Sequence, residues 1–183
     1  MVINDQIRVG ETLMSFVNEN FHANTDPLVG KVIEGYKVMA RVGRGGMGTV
    51  YRAQQLSLNR TVALKILSQD LVKDKTFIEL FKKEARAAAQ LNNPNIVQVY
   101  DVGKQDSSNN YFIAMEYVGK GSLQERIGRS KKLPLEVALP YMLDAARGLE
   151  YAHRKNIVHR DIKPDNLMTV SYTHLTLPTI VSV

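Results

Sequence analysis

The chain carries a glycine cluster, residues 43–48, between two segments with strand-like sequences. The cluster begins the pattern G-x-G-x-x-G-x-V, and a similar glycine pattern marks the phosphate site of dinucleotide-binding folds. In those folds the glycines open a helix, whereas here they lead into Thr49, Val50 and Tyr51, which are typical of a strand. The pattern therefore predicts an antiparallel hairpin whose backbone N–H groups can approach phosphates. A plain hairpin without a ligand is the alternative.

Strand-like segments recur on both sides of the glycine cluster and are separated by polar turns. One helical segment interrupts them at residues 77–91, and the sequence Asn-Asn-Pro at 92–94 supplies its stop signal. This order of segments indicates an α+β fold with a five-stranded antiparallel sheet and one packed helix. The predicted strands are residues 36–42, 49–53, 61–67, 96–102 and 111–117.

The second half of the chain is predicted to be helical. A long segment that begins with Leu133 and Pro134 carries apolar residues at helical spacing and leads into a polar loop at residues 159–166. We expect the apolar face of this helix to lack the partners that would cover it. The residues on that face are Met142, Ala145, Ala146, Leu149 and Ala152.

Composition excludes several classes of site. The chain has no cysteine, which rules out a disulfide framework, a thiolate metal site and a cysteine nucleophile. No run approaches the roughly 20 apolar residues that a membrane helix needs. The formal net charge of +6 at pH 7 comes from scattered basic residues without interleaved aromatic residues. We therefore expect a solvated basic surface and no nucleic-acid partner.

The third predicted strand carries a lysine with a defined orientation. Side chains alternate along a strand, so Val62, Leu64 and Ile66 face one way. Ala63 and Lys65 face the other way, where the small residue leaves room for a flat ring and the lysine supplies a cation for phosphate oxygens. A solvated lysine at a sheet edge is the simpler alternative.

A glutamate on the predicted helix is a candidate partner for Lys65. The inward face of the helix contains, at steps of three or four residues, Phe77, Phe81, Glu84, Ala88 and Leu91. Glu84 falls in the middle of that face, where an unpaired carboxylate is costly to bury. We therefore predict an ion pair between Glu84 and Lys65. The alternative is that Glu84 lies at the edge of the face and reaches solvent.

The polar loop has the most specific sequence in the chain, His-Arg-Asp-Ile-Lys-Pro-Asp-Asn. Apolar pairs at residues 157–158 and 167–168 flank it, so we expect both of its ends to be held in the core. On such a loop Asp161 can accept a hydroxyl proton, and Lys163 can reach a γ-phosphate. Asn166 can hold a metal ion through its amide oxygen.

The chain resembles the protein kinase family over residues 36–168. Members of that family carry, in this order and spacing, a glycine cluster, a strand like Val-Ala-Leu-Lys, a helix glutamate and the polar loop. A lysine two residues after the aspartate, as Lys163 is after Asp161, is typical of the serine/threonine kinases. The amino-acid sequence of the glycine cluster resembles that of the bacterial members of this branch. The resemblance implies a protein-kinase-like fold. Residues 34–118 would form the N-lobe, and residues 119–169 would begin the helical C-lobe.

The resemblance also implies a reaction and its ligands. Such a protein transfers the γ-phosphoryl group of ATP to serine or threonine hydroxyls of protein substrates, with Mg²⁺ as cofactor. The implied catalytic residues are Asp161, Lys163 and Asn166, and Asn166 would also bind the metal. The implied nucleotide-binding residues, which include a gatekeeper (Met115) and part of a hinge (Glu116, Val118), are Val42, Gly43, Arg44, Gly45, Gly46, Met47, Gly48, Val50, Ala63, Lys65, Glu84, Met115, Glu116, Val118 and Met168.

Two other classes of protein remain to be weighed. A pseudokinase would keep the fold as a binding or scaffold module without turnover, and the presence of Lys65, Glu84, Asp161 and Asn166 argues against it. A dinucleotide-binding domain is disfavoured because strands and helices do not alternate. We expect a cytoplasmic kinase domain. A homodimer, and a membrane span further along a longer parent protein, stay open.

The end of the chain departs from the family pattern. A kinase continues after Met168 into the D-F-G motif, the activation loop and further helices, and these motifs are absent. Residues 170–179 instead resemble the translation of one reading frame of an adapter used in transposon-based sequencing libraries. We expect residues 1–33 to be an N-terminal extension, 34–169 an incomplete, inactive kinase domain and 170–183 a non-native tail that adds no packed structure.

Overall fold

The computed structural model describes residues 6–9, 12–15, 26–170 and 175–176, which contain ten strands, three α-helices and two short 3₁₀ helices. The strands are β1 (Gln6–Val9), β2 (Thr12–Ser15), β3 (Val32–Ile33), β4 (Tyr36–Gly45), β5 (Gly48–Gln55), β6 (Arg60–Leu67), β7 (Val99–Gln105), β8 (Asn110–Glu116), β9 (Met168–Thr169) and β10 (Leu175–Thr176). The α-helices are α1 (Lys75–Ala89), α2 (Leu123–Ser130) and α3 (Leu135–Arg154).

The main sheet is antiparallel and has the strand order β3-β4-β5-β6-β8-β7. The five predicted strands and the helix after the third are therefore confirmed. The sheet gains β3, whose two residues are too few to show a period in the sequence. Strand β7 begins at Val99, later than predicted, and the preceding Ile96 packs in a cluster with Leu91 and Ala152.

Both faces of the sheet are covered. On one face Val62, Leu64 and Ile66 join a buried cluster that also contains Tyr51 and Phe112, which confirms the predicted alternation along β6. Segment 26–33 closes this cluster: Ile33 is part of it, and Leu28 and Val29 pack against it. The opposite face carries α1, whose buried residues are Ile78, Phe81, Ala85 and Ala88.

Helix α1 begins with a side-chain cap. The Asp74 carboxylate accepts hydrogen bonds from the backbone N–H groups of Thr76 (2.8 Å) and Phe77 (3.2 Å), which satisfies donors that have no partner inside the helix. This start lies slightly earlier than the predicted one. Farther along the helix, Phe81 is buried and Glu84 is half-buried on the side that faces the sheet.

The apolar face predicted for α3 is covered only in part. Ala145 and Ala152 are buried, but Met142 is 62% exposed and Ala146 is exposed as well. The helix instead turns the Tyr141 ring inward, where it packs in one cluster with Leu123 and Leu167. A second apolar face of α3 is left in solvent, and its large residues are Leu135, Leu139, Met142 and Leu143.

Two short pairs of strands complete the described structure. Strands β1 and β2 form an antiparallel pair, and β10 pairs with β9 through Leu175–Thr169 and Thr176–Met168. The expectation that the segment after 169 adds no structure is therefore wrong for residues 175–176. In the part of the chain that the structure describes, no helix is long and apolar enough to cross a membrane.

Candidate active site

The glycine cluster forms the tip of the β4–β5 hairpin, as predicted. Gly45 and Gly48 are the last paired residues, so Gly46 and Met47 make the turn. Gly48 has φ +154°, and a Cβ there would lie 2.0 Å from the carbonyl oxygen of Ile66. Only glycine tolerates so close an approach of β5 to β6. The backbone N–H of Ser68 donates to the Met47 carbonyl at 3.0 Å, which ties the turn to the end of β6.

Strand register brings several predicted nucleotide contacts onto one face of the sheet. Val50 lies directly opposite Lys65, and Ala63 lies directly opposite Met115. Directly opposed residues share a face, and Ala63 and Lys65 share one because they are two positions apart. The four residues thus line a continuous surface beside α1. Val42 and Arg44 are exposed on the hairpin.

The segment after β8 joins the two halves of the described chain. Glu116 is held by Gln98 in two ways: its backbone N–H donates to the Gln98 carbonyl (2.9 Å), and its carboxylate accepts the Gln98 N–H (3.3 Å). Val118 is buried two residues later. These contacts hold the end of the sheet at the start of the segment for which a hinge was predicted.

Lys65 and Glu84 face the same gap but do not form the predicted ion pair. The Lys65 ammonium has the Met47 sulfur 4.0 Å away as a hydrogen-bond partner, and Glu84 Oε2 is buried without a hydrogen-bond partner. Burial lowers the pKa of Lys65, and the Glu84 charge opposes that change. Burial likewise raises the pKa of Glu84. The packing of α1 on the sheet thus removes water from both charged groups. No direct contact between them offsets this loss of hydration.

The polar loop brings its three predicted catalytic side chains together. Lys163 Nζ lies 2.9 Å from Asp161 Oδ2. The Asn166 amide nitrogen donates to the same oxygen at 2.8 Å and to the Asp161 carbonyl at 2.9 Å. The hydrogen bond from Lys163, followed by that from Asn166, lowers the pKa of Asp161. Asp161 is therefore a carboxylate at neutral pH, and the amide oxygen of Asn166 points away from it.

Hydrogen bonds from the start of α2 anchor the far end of this loop. The Leu123 N–H donates to the Leu167 carbonyl (2.7 Å), and the Thr169 N–H donates to the Gly121 carbonyl (3.0 Å). Leu167 is buried, in line with the prediction of a loop held in the core. Its near end is anchored differently, because Val158 is 61% exposed and the buried residue is His159, whose Nδ1 accepts the Asp161 N–H at 3.3 Å.

One electrostatic interaction connects the loop with α1. The positive charge of Arg160, followed by that of Lys65, opposes the rise in the pKa of Glu84 that burial causes. Arg160 has φ +64°, a backbone conformation that is uncommon outside glycine. This conformation turns the chain between the buried His159 and the half-buried Asp161.

Some residues that shape the site carry no sequence signal. Ser68 and Gln98 act through backbone groups, and any residue other than proline has the same donor at those positions. The Thr169 hydroxyl donates to the Gly121 carbonyl at 3.0 Å. Such contacts join positions far apart in the chain, and no local pattern predicts them.

Known proteins match the chain over most of its length. The family model described as "Protein kinase domain" matches residues 36–178. The chain is 44% identical to a probable serine/threonine-protein kinase of Clostridium perfringens and 43% identical to the serine/threonine-protein kinase PrkC of Bacillus subtilis, with 77% of this chain aligned in each case. It covers only 20% and 22% of these relatives. It therefore spans about a fifth of their length.

A solved structure agrees with the fold described above. The kinase domain of PknI from Mycobacterium tuberculosis, solved in a mutant form, superposes with a TM-score of 0.70 at 30% identity. The match covers 82% of this chain and 60% of that domain. The protein-kinase-like fold, with an antiparallel N-lobe sheet and the start of a helical lobe, is thereby confirmed.

Proposed function

Since the chain belongs to the protein kinase domain family, we propose that the protein transfers the γ-phosphoryl group of ATP to serine or threonine hydroxyls of protein substrates. The observation that carries this proposal is the position of the Asp161 carboxylate, held by Lys163 at 2.9 Å and Asn166 at 2.8 Å. A fixed, ionised carboxylate beside a lysine suits the activation of a hydroxyl group next to a phosphate.

In the proposed reaction the acceptor hydroxyl gives its proton to Asp161 while its oxygen attacks the γ-phosphorus. The bond between that phosphorus and the bridging oxygen breaks, and ADP leaves with the electron pair. Lys163, bound to Asp161 in this structure, would balance negative charge on the transferred group. Positioning and electrostatic stabilisation supply most of the catalysis in this class of reaction.

The surface beside Lys65 fits a nucleotide. Val50, Ala63 and Met115 offer apolar atoms on the same face as the Lys65 ammonium, which suits a flat base next to phosphates. Cβ atoms at Gly43, Gly45 and Gly46 would meet nothing within 4 Å, so this part of the hairpin surface is open. The assignment of adenine contacts to Glu116, Val118 and Met168 is part of the same proposal.

The magnesium site is only partly supplied by these residues. Among the residues that the structure describes, no group of three or more His, Cys, Asp or Glu side chains could hold a metal ion. The Asn166 amide oxygen is the donor we assign to Mg²⁺, which would neutralise phosphate charge when bound. We propose that its other protein ligand lies outside residues 36–168, and that this chain alone has no measurable turnover.

The proposal extends to the acceptor substrate, a protein hydroxyl, and to the cellular location, the cytoplasm. The named relatives are serine/threonine-protein kinases, which supports protein hydroxyls as acceptors. The absence of cysteine is compatible with the reducing cytoplasm, where we place this domain. A homodimer, and a membrane span in a longer protein, stay predictions.

Nucleotide binding by the 183-residue chain tests the first half of the proposal. Binding of a non-hydrolysable ATP analogue is measured by titration calorimetry for the unmodified chain, for Lys65→Met and for Lys37→Met, which alters an exposed lysine of β4. We expect Lys65→Met to weaken binding about tenfold or more, since one charged phosphate contact is worth roughly 1.5–3 kcal/mol. Equal binding by all three would contradict the assignment of Lys65.

Phosphoryl transfer tests the second half. Transfer from γ-labelled ATP to a generic basic protein is measured with the whole protein that contains this chain, in the presence and absence of Mg²⁺. Magnesium-dependent labelling of serine or threonine is the expected result. Nucleotide binding without transfer would instead favour a pseudokinase.

A further inference from the structure

Asp26 is a buried carboxylate that the proposed reaction does not use. Its side chain is 5% exposed. Both of its oxygens lie 3.2 Å from the Tyr51 hydroxyl, which donates to them. The Arg41 guanidinium donates at 3.5 Å and the Leu28 backbone N–H at 3.1 Å. The residue lies in the segment before the sheet, where the sequence gives no sign of chemistry.

The partners of Asp26 sit at the root of the glycine hairpin. Arg41 on β4 lies directly opposite Tyr51 on β5, and the next pair toward the tip is Gly43 with Val50. Between these two pairs the register shifts by one residue, a bulge that bends the strand and re-aims its side chains. One carboxylate therefore clamps both strands at the point where the hairpin bends toward its glycine turn.

The clamp acts from the side of the sheet away from the proposed nucleotide site. Tyr51 is 4% exposed and belongs to the cluster that contains Leu64, whereas its neighbour Val50 shares the opposite face with Lys65. Burial, followed by the Asp26 charge, raises the pKa of the Tyr51 hydroxyl. The hydroxyl therefore stays protonated and remains a donor to the carboxylate over the whole neutral range.

We propose that Asp26 is a positioning residue that holds the glycine hairpin in the geometry that binds nucleotide phosphates. The inference rests on the proposed nucleotide-binding function. A hairpin clamped at its root loses less conformational freedom when a ligand binds, and preorganisation of this kind appears as affinity. Removal of the clamp should therefore loosen the turn and weaken nucleotide binding without unfolding the sheet.

A matched control lies at the other end of the β4–β5 hairpin. The Tyr36 hydroxyl donates to Asp101 Oδ2 at 3.0 Å, and Tyr36 is buried and lies opposite Gln55, far along β4 from the turn. Tyr36→Phe therefore removes the same kind of tyrosine–aspartate hydrogen bond, but one that joins β4 to β7 away from the glycine turn. Any effect on the turn that Tyr51→Phe has and Tyr36→Phe lacks reports on position and not on general stability.

The experiment compares Asp26→Asn, Tyr51→Phe and Tyr36→Phe with the unmodified 183-residue chain. Amide hydrogen exchange of residues 43–50, affinity for a non-hydrolysable ATP analogue and the thermal midpoint are measured for each. We expect exchange in residues 43–50 to become about tenfold faster and affinity to fall about five- to tenfold in the first two variants. In Tyr36→Phe we expect a lower thermal midpoint and neither of the other changes.

The two readouts separate this inference from the function on which it rests. Equal exchange and equal affinity in Tyr51→Phe and Tyr36→Phe would overturn the role of Asp26 while nucleotide binding stands. If Asp26→Asn fails to fold, Tyr51→Phe still decides, because it removes only one hydroxyl. An unmodified chain that binds no nucleotide would overturn the proposed function, and with it the ligand-binding half of this inference, while hydrogen exchange would still show whether the clamp orders the hairpin.

Discussion

At the scale of single residues, Asp161 is the centre of the proposed chemistry. It holds Lys163 and Asn166 at hydrogen-bonding distance, and the hydrogen bond from Lys163 is the main reason why its pKa is lowered. The carboxylate is therefore formed before any substrate arrives. Preformed geometry and charge of this kind are what an acid–base residue needs.

Asp161→Asn should remove the proton acceptor and keep the shape of the loop. We expect the turnover number of the whole protein to fall about 10²- to 10⁴-fold with nucleotide affinity nearly unchanged. Asp165→Asn is the control, because Asp165 is an exposed carboxylate on the same loop. Steady-state kinetics of both variants make the test. Near-normal turnover in Asp161→Asn would remove this residue from its proposed role.

Glu84 gives a prediction about pH. Burial raises its pKa above the ordinary 4.5, so the folded state prefers the protonated carboxyl. Its contribution is most favourable below the unfolded-state pKa and is lost as the pH rises through the folded-state pKa. Glutamine mimics the protonated form. We therefore expect Glu84→Gln to raise the thermal midpoint at pH 7 and to change it little near pH 3.

The matched variant for this test is Glu79→Gln, which alters a solvated glutamate of α1 bound to Lys82 at 3.0 Å. Surface ion pairs of this kind contribute little to stability. The thermal midpoint of Glu79→Gln should therefore be close to that of the unmodified chain at both pH values. A Glu84→Gln midpoint that drops at pH 7 would mean that the carboxylate is stabilised in the fold, contrary to the direction of its pKa.

At the scale of elements, the β4–β5 hairpin depends on one glycine more than on the others. Gly48 packs its backbone against β6, whereas Gly46 at the turn has open space around it. Gly48→Ala must either push β5 from β6 or distort a φ of +154°. We expect a loss of about 1–3 kcal/mol in the free energy of unfolding, measured by urea denaturation.

Gly46→Ala is the control for this prediction, since a Cβ there meets nothing within 4 Å. Its free energy of unfolding should lie within about 0.5 kcal/mol of the unmodified chain, as for most surface substitutions. If the two variants were equally stable, the contact between Gly48 and Ile66 would not be a packing constraint.

At the scale of the whole molecule, α3 presents one apolar face to the interior and another to solvent. Leu135, Leu139, Met142 and Leu143 are each about half or more exposed. Side chains of this size forfeit roughly 1.5–3 kcal/mol each when they are not buried, and a contiguous apolar patch favours association. The 183-residue chain should therefore self-associate through this face.

Met142→Lys should reduce that association. Leu58→Lys is the control, because Leu58 has the same 62% exposure as Met142 but lies in the turn between β5 and β6, away from α3. We expect sedimentation velocity to show a smaller aggregated fraction for Met142→Lys and no change for Leu58→Lys. Equal association of both variants would assign the self-association to another surface.

Local sequence patterns were sufficient to predict the sheet, α1 and the three side chains of the polar loop. Alternation along β6 gave the orientation of Lys65, and the spacing of Phe81, Glu84 and Ala88 gave the inward face of α1. Both readings hold because strand and helix periods are properties of a short segment. The polar loop was predictable for a different reason, since Asp161, Lys163 and Asn166 are close enough in sequence to meet within a single turn of chain.

Tertiary structure decided what depends on contacts between distant segments. It set the rotation of α3, where the larger Tyr141 ring took the interior in place of Met142. It left Lys65 and Glu84 without a direct contact, although each lies on the predicted face of its own element. It also joined Asp26 to Tyr51, 25 positions apart. Such pairings follow from how whole elements pack against one another, and a local sequence pattern holds no information about that packing.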